Sequence, residues 1–318
     1  MKPKKVAFVV WAQTPTITIH LMTVAIVIFL IGLVSLCSSA GHAEKRQRQS
    51  QAFSPRVSPD GRRIAFVARM ADGNSGLYII DADGKNLRRL TNGYGNMQAW
   101  SPDGSKLIFA RINNDTDTQS LVVINADGTG ERVINTGQKK NQFPSFSPDA
   151  KQIVLNLDGE IGFGVFTINA DGSNPRKITP GMQPAWSPNR KHIAFATAAA
   201  NSGPPRIFVL NPDGTQKRQV STGDGAHECP TWSADSKRIA YFASSRDKAS
   251  GKSNAVIRVV NVDGSGDAEI GTHSNPYLDE MPSWFPDGKR LAIQSNRDGI
   301  MRIYIIDLNG QTLACVTP

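Results

Sequence analysis

Short apolar segments alternate with polar turns along the chain from about residue 53 onward. The apolar runs, such as Ile-Ala-Phe and Leu-Tyr-Ile-Ile, are only about four to six residues long, which is typical of β-strands and too short for most helices. An aromatic or apolar residue followed by Ser-Pro-Asp-Gly, or by a variant of it, occurs six times. This landmark residue, spaced 40 to 52 residues apart, is Val57, Trp100, Phe146, Trp186, Trp232 and Trp284.

A second turn motif alternates with the first. It has the form Asx-x-Asp-Gly or a close relative, and it occurs at residues 81–84, 125–128, 169–172, 211–214, 261–264 and 307–310. Pro and Gly at these positions suit tight turns between antiparallel strands. Each repeat therefore predicts four short strands, of which the fourth is the most polar and suits the solvent-facing edge of a sheet.

Four-stranded units of this length, repeated six times, predict an all-β, six-bladed β-propeller over residues 53–318. A single four-stranded sheet cannot cover both of its apolar faces, so each blade has to pack against its neighbours. The landmark aromatic residues are the predicted wedges between blades. The repeat phase favours closure by face packing between the first and last blades, with a strand contributed by residues 51–53 as the alternative.

The N-terminal segment, residues 1–43, has the pattern of an export signal or a membrane anchor. Three lysines precede an apolar run over residues 17–36, which is long enough to form a spanning helix. Small residues before residue 44 suit signal cleavage, and retention as an uncleaved anchor or lipidation at Cys37 are the alternatives. Residues 44–52 are mostly polar and charged, which indicates a linker. Each alternative places the rest of the chain in the periplasm or another extracytoplasmic space, secreted or anchored to the inner membrane.

Composition and charge narrow the classes of partner. The 318 residues include 36 Lys and Arg against 27 Asp and Glu, and the resulting charge of +9 is dispersed along the chain. A dispersed excess of this size does not predict nucleic-acid binding. The three cysteines lack metal-site spacing and cannot form a disulfide framework. We expect a monomer, with membrane association only through residues 17–36.

The repeat resembles a known family. Its motifs are similar to the repeat of TolB-like propellers and occur in the order Pro-x-Trp-Ser-Pro-Asp-Gly, Ile-Ala-Phe, Ile-Tyr-x-x-Asp-x-Asp-Gly and Leu-Thr. An example is DEMPSWFPDGKRLAIQSNRDG at residues 279–299. The resemblance covers residues 53–318. It implies a location in the cell envelope. Propellers of the TolB type carry an additional N-terminal α/β domain, whereas only a short linker precedes the first blade here, so we expect a stand-alone TolB-like propeller.

The two ends of the predicted propeller differ in chemistry. The repetitive turns lie at one end, and the connections of variable length and composition lie at the other, where function is usually found. We therefore expect binding of a protein partner in the cell envelope at the variable end. The aromatic and methionine residues that suit such a surface are Tyr94, Met97, Met182 and Tyr277.

Acidic residues at the same end suggest a cation site. His227 and Glu228 precede one landmark tryptophan, and Asp279 and Glu280 precede the next, so all four are candidate ligands of a divalent cation. The alternative is that Glu228 and Glu280 form ion pairs with nearby arginines such as Arg246 and Arg297, and only fix the blade. Arg56 replaces a small residue of the repeat, and it either projects into the channel or binds a carbonyl at the ring closure.

Enzymatic motifs are scarce. The sequence contains neither Gly-x-Ser-x-Gly nor His-Glu-x-x-His, and it has no phosphate-binding glycine loop. We expect a non-enzymatic interaction scaffold with no catalytic residues and no resident cofactor. The alternative is a propeller enzyme of the lyase or hydrolase type, or a carbohydrate- or metal-binding protein, with its site at the channel mouth.

Overall fold

The computed structural model describes residues 49–93, 95–198, 203–246, 253–271 and 277–317. Every regular element in these ranges is a β-strand. No helix among the described residues has the length and apolarity needed to cross a membrane. The predicted signal or anchor segment, residues 1–43, lies outside the described residues.

The described strands fall into six consecutive groups of four. Groups 1 to 3 comprise β1 (Gln51–Val57), β2 (Arg63–Arg69), β3 (Ser75–Asp81), β4 (Arg88–Arg89); β5 (Gly95–Trp100), β6 (Lys106–Asn113), β7 (Thr118–Asn125), β8 (Arg132–Ile134); β9 (Lys140–Phe146), β10 (Gln152–Asp158), β11 (Gly164–Asn169) and β12 (Arg176–Thr179). Groups 4 to 6 comprise β13 (Met182–Trp186), β14 (Ile193–Ala198), β15 (Pro205–Leu210), β16 (Arg218–Gln219); β17 (Ala226–Trp232), β18 (Arg238–Arg246), β19 (Ser253–Asn261), β20 (Ala268–Glu269); β21 (Asp279–Trp284), β22 (Arg290–Ser295), β23 (Arg302–Asp307) and β24 (Thr312–Cys315).

Within each group the four strands pair antiparallel in sequence order. A single parallel pair between Gln119 and Lys140 joins groups 2 and 3 into one longer sheet. Both turn motifs close hairpins as the sequence predicts. In the first Ser-Pro-Asp-Gly turn, Ser58 Oγ donates to Asp60 Oδ1 over 2.5 Å and accepts from the backbone N–H of Arg63 over 2.9 Å.

Apolar layers hold the groups together. Each of six buried clusters combines side chains from two groups that follow one another, and the sixth cluster joins group 6 to group 1. In that last cluster Phe66 and Ile80 of group 1 pack with Phe285, Ile303 and Ile305 of group 6. Because a buried aliphatic or aromatic side chain stabilises the fold by about 1.5–3 kcal/mol, these layers dominate the stability of the molecule.

Groups 1 and 6 meet by face packing, and the described strands of each group are contiguous in sequence. Polar contacts reinforce this junction, since the backbone N–H of Ala52 donates to the carbonyl of Met301 over 2.9 Å. Ser283 Oγ similarly accepts from the backbone N–H of Val57 over 3.0 Å. The predicted all-β, propeller-like fold is confirmed, whereas the N-terminal helix and the closed ring of six blades stay predictions.

The four landmark tryptophans are buried between groups. The indole Nε1 of Trp100 donates to the carbonyl of Arg56 over 2.8 Å, and that of Trp232 donates to the carbonyl of Ala185 over 3.0 Å. Each bond ties one group to the innermost strand of the group before it. The Nε1 atoms of Trp186 and Trp284 are buried without a partner among the described residues.

This difference between equivalent tryptophans is testable. Trp232→Phe and Trp186→Phe remove similar apolar area, but only the first removes a hydrogen bond between groups. We expect Trp232→Phe to lower the free energy of unfolding by about 1–2 kcal/mol more than Trp186→Phe does. Urea denaturation of the two variants measures the difference, and equal losses would show that the indole bond does not contribute.

Candidate functional site

The innermost strand of every group carries a β-bulge at the same place. Its pairing register shifts by one residue there, so that two of its residues oppose one residue of the next strand, and the first of the two has a left-handed backbone conformation with φ between 49° and 58°. The six residues in this conformation are Ser54, Met97, Phe143, Gln183, Cys229 and Met281. A bulge bends its strand and re-aims the side chains around it. Proline, which cannot donate a ladder hydrogen bond, is the second bulge residue in every group except group 2.

Side chains from neighbouring groups bind the backbone at these bulges. Gln294 Oε1 accepts from the N–H of Ser54 over 2.8 Å. Asn156 Oδ1 accepts from the N–H of Gln183 over 2.6 Å, and Gln183 Oε1 accepts in turn from the N–H of Cys229 over 2.9 Å. These bonds fix the innermost strands relative to one another, so the wall that they form is rigid before any ligand arrives.

That wall encloses a cavity of about 480 Å³ on the axis of the molecule. Equivalent residues of all six innermost strands line it, from the bulge to the Ser-Pro turn, so the cavity occupies the half of the channel nearer these turns. Its walls are largely Trp, Pro, Phe and Ala. The volume lies within the range of small-ligand and peptide pockets, and the only charged residue in the lining is Arg56.

Arg56 lies half-buried in this lining. Its Nη1 donates to the carbonyl of Pro55 over 2.8 Å, and among the described residues it forms no ion pair. The side chain thus lies in the channel, as the first alternative from the sequence has it, and the carbonyl that it binds belongs to the preceding residue of its own strand and not to the neighbouring group across the ring closure. Loss of water on burial lowers the pKa of the Arg56 guanidinium from its usual value.

Buried carboxyl groups lie beyond the bulge, toward the variable end. Glu228 is 6% exposed, and burial together with the nearby Glu280 raises its pKa to about 7. Burial also raises the pKa of Glu280, although Gln294 Nε2 donates to its Oε2 over 2.7 Å. Cys229 lies next to both acids, and burial raises the pKa of its thiol well above the usual value.

The four predicted cation ligands do not converge. Asp279 forms an ion pair with Arg297, whose Nη2 lies 3.0 Å and 3.1 Å from the two carboxylate oxygens. His227 is fully buried, and its ring nitrogens contact Ser221 Oγ at 2.8 Å and the carbonyl of Asp224 at 3.0 Å. No group of three His, Cys, Asp or Glu side chains in the described ranges is placed to hold a metal ion.

Glu280 lies close enough to Glu228 to raise the pKa of that carboxyl, and Asp279 likewise raises the pKa of Glu280. Because Asp279 is paired with Arg297 and His227 is hydrogen-bonded elsewhere, the cation site stays an untested prediction that this geometry does not favour. Of the two arginines that the alternative assigns to Glu228 and Glu280, Arg297 pairs with Asp279 instead. The structure does not describe the side chain of Arg246.

The predicted partner-binding residues are distributed over different environments. Met97 is buried and lines the channel cavity. Met182 is half-buried against the apolar layer between groups 4 and 5, and Tyr277 is half-buried beside β21. Tyr94 lies outside the described residues. Their role in partner binding stays a prediction.

The channel cavity near the Ser-Pro turns was not predicted as a site, because repetition of those turns indicates a structural role. One sequence signal was available. The residue two positions before the landmark is proline in five of six repeats, and Arg56 breaks an otherwise small-residue position next to it. The strand groups, their apolar layers and this lined channel define a protein of the β-propeller class.

Comparison with known proteins identifies the family. A sequence profile of the TolB beta propeller domain matches residues 38–157 and 163–318, and the chain therefore belongs to this family. An uncharacterised protein of Agrobacterium fabrum is 25% identical over 200 residues, covering 58% of this chain and 67% of that protein. The Tol-Pal system protein TolB of Francisella tularensis subsp. mediasiatica is 24% identical over 254 residues, covering 77% of this chain. This chain spans only 57% of that TolB.

Solved structures agree at the level of the fold. TolB from Acinetobacter baumannii superposes with a TM-score of 0.62 at 19% identity, covering 94% of this chain and 70% of that one. An oligogalacturonate lyase from Vibrio parahaemolyticus superposes with a TM-score of 0.56 at 14% identity, covering 82% of this chain and 90% of the lyase.

The buried acid Glu228 predicts a dependence of stability on pH. A carboxyl pKa raised from 4.5 to about 7 means that the folded state binds more protons than the unfolded state between these values, so stability falls as pH rises through this range. Glu228→Gln removes that penalty. We expect the variant to be more stable than the wild type by on the order of 1–3 kcal/mol at pH 8, and to lose most of this advantage at pH 5.

Glu131→Gln is the matched control. Glu131 pairs with Arg111 at the surface, and the pKa of its carboxyl is lowered by that hydrogen bond, so its removal gives no alkaline gain. Denaturant unfolding of the three proteins across this pH range measures the effect. If the stability difference between Glu228→Gln and the wild type does not change with pH, the carboxyl of Glu228 does not have a raised pKa in the folded protein.

Proposed function

We propose that this chain is a six-bladed TolB-like propeller that is exported into the cell envelope and binds a protein partner there as a non-enzymatic scaffold. Six strand groups and six apolar layers, the last of which joins group 6 to group 1, support a closed ring with residues 53–318 as the propeller. Strand β1 begins at Gln51, so the ordered sheet starts within the linker proposed for residues 44–52.

The channel cavity is the main support for the proposal that the chain binds a protein partner. Its walls are built mainly of tryptophan, phenylalanine and proline, which offer flat apolar surfaces to an extended peptide, and the bulge hydrogen bonds hold these walls in place. A preorganised pocket loses little conformational entropy on binding, which is what a scaffold for a partner segment requires. The variable end, with Met182 and Tyr277, is the alternative contact surface.

The envelope location rests on sequence. Residues 1–43 have the composition of a signal peptide or an anchor, and the relative from Francisella is named as a protein of the Tol-Pal system. A place in a system of this kind agrees with protein partners for this chain. We propose that this chain acts as a monomer, joined to a membrane, if at all, through residues 17–36.

Photo-crosslinking tests where a partner binds. A photoreactive phenylalanine analogue in place of Phe143 lines the cavity and replaces an existing ring, whereas the same analogue at Val133 lies on the exposed outer strand β8. We expect crosslinks to a discrete partner segment from position 143 in envelope preparations and at least tenfold fewer from position 133, because interface contacts concentrate in a few well-packed pockets. Strong crosslinks from position 277 with none from position 143 would transfer the binding surface to the variable end.

A second candidate function is supported by the buried carboxyl pair. A propeller enzyme or cation-binding protein needs acids with altered pKa in the channel, and Glu228 beside Glu280 meets that description. The structural likeness to an oligogalacturonate lyase is a likeness of fold alone.

Added cations separate these two functions. If the pair holds a divalent cation, millimolar Ca²⁺ or Mn²⁺ raises the melting temperature of the wild type by several degrees, and Glu228→Gln abolishes the rise, since a bound ion stabilises only the folded state. For the scaffold we expect no shift in either protein. Differential scanning fluorimetry with and without chelator makes the measurement.

A further inference from the structure

Arg56 occupies a position that every other repeat fills with a small residue. The equivalent residues immediately before the landmark position are Ala99, Ser145, Ala185, Thr231 and Ser283. Five of the six innermost strands thus pack around the channel without a long side chain at this place. The packing of the repeat does not require an arginine here, so its presence calls for a different explanation.

The guanidinium of Arg56 has unused capacity to bind. It has five N–H donors in a planar fork, and within the described ranges only Nη1 donates, to the adjacent carbonyl of Pro55. It has no carboxylate partner among the described residues, although burying a cation without an anion costs free energy. A charge held in this way is suited to meet an anion that comes from outside the chain.

Other unpaired polar atoms belong to residues that line the same cavity. The indole N–H groups of Trp186 and Trp284 are buried donors without partners in the described part of the molecule. Gln98 donates through Nε2 to the carbonyl of Ser54, while its Oε1 is an acceptor without a partner. These atoms are closed off from solvent, and the equivalent indoles of Trp100 and Trp232 donate to carbonyls between groups, so the binding capacity of this lining rests on the guanidinium of Arg56.

We propose that the channel cavity binds an aspartate or glutamate side chain on an extended, apolar segment of a protein partner, with Arg56 holding the carboxylate. The inference rests on the proposed partner-binding function and specifies its chemistry. Arginine and carboxylate pair through two parallel N–H···O bonds, which select for both charge and geometry. The tryptophan and proline walls pack against the apolar residues on either side of the acid.

Selection of random linear peptides on phage, with the full chain as target, tests this chemistry. Peptides enriched on the wild type are expected to share an Asp or Glu flanked by apolar or aromatic residues. Replacing that acid by its amide in a synthetic peptide is expected to weaken binding at least tenfold, as measured by fluorescence anisotropy. The same peptide is expected to bind Arg56→Gln at least tenfold more weakly and Arg56→Lys at an intermediate level.

Stability measurements separate a binding role for Arg56 from a structural one. Arg56→Gln removes an uncompensated cation and one bond to a neighbouring carbonyl, so we expect a melting temperature equal to or above that of the wild type. A melting temperature lowered by several degrees, with peptide affinity unchanged, would assign Arg56 to the ring closure and overturn the proposal.

Cavity-filling variants make failure of the inference distinguishable from failure of the proposed function. Ala99→Phe and Thr231→Tyr place bulk in the cavity from two different strand groups, and circular dichroism checks their folding. If peptides are enriched and both folded variants block them, but neither the acid nor Arg56 matters, the scaffold function stands and the carboxylate inference is wrong. If no peptides are enriched, or if the filled variants bind them normally, the proposed scaffold function at the channel and the carboxylate inference are both wrong. Free 3-phenylpropanoate that competes as well as the peptide would also overturn the assignment to a protein segment.

Discussion

The apolar layers between successive strand groups determine the rest of this structure. A four-stranded sheet with two apolar faces is stable only between two others, so each group packs between two neighbours, and the innermost strands of all six groups line one cavity. The bulges, the glutamine and asparagine side chains at the channel wall and the buried tryptophans all occur at these junctions. Function at the channel is thus a consequence of the way in which the apolar faces are covered.

The channel has two electrically different halves. Arg56 lies in the half near the Ser-Pro turns, and the pair of Glu228 and Glu280 lies on the other side of the bulge, with Cys229 between them. These charges are kept apart and not paired with one another. Glu228 is buried and Arg56 and Glu280 are half-buried, so salt screens these charges less than it screens charges on the open surface.

The sequence predicts the fold well because its signals are local and repeated. The Ser-Pro-Asp-Gly turn and the landmark tryptophan each depend on a few adjacent residues, and the structure places Trp232 and the first turn as predicted. The candidate site was less predictable, since side-chain direction at a bulge depends on a backbone twist that no short motif reports. His227 and Glu228 are neighbours in sequence and point to different surroundings. The ion pair of Asp279 with Arg297, by contrast, follows from the strand pairing of β21 with β22 and the turn after it.

In the described part of the chain, groups 1 and 6 meet without exchanging a strand, and this arrangement has an evolutionary consequence. Where the described strands of each group come from one contiguous stretch of sequence, duplication or deletion of a single genetic unit adds or removes a whole group without leaving an unpaired strand. The junction has only to re-form the same kind of apolar face contact that joins every other pair of groups. Such a lineage is free to change its number of units, and with it the width of the channel, by steps that keep every intermediate foldable.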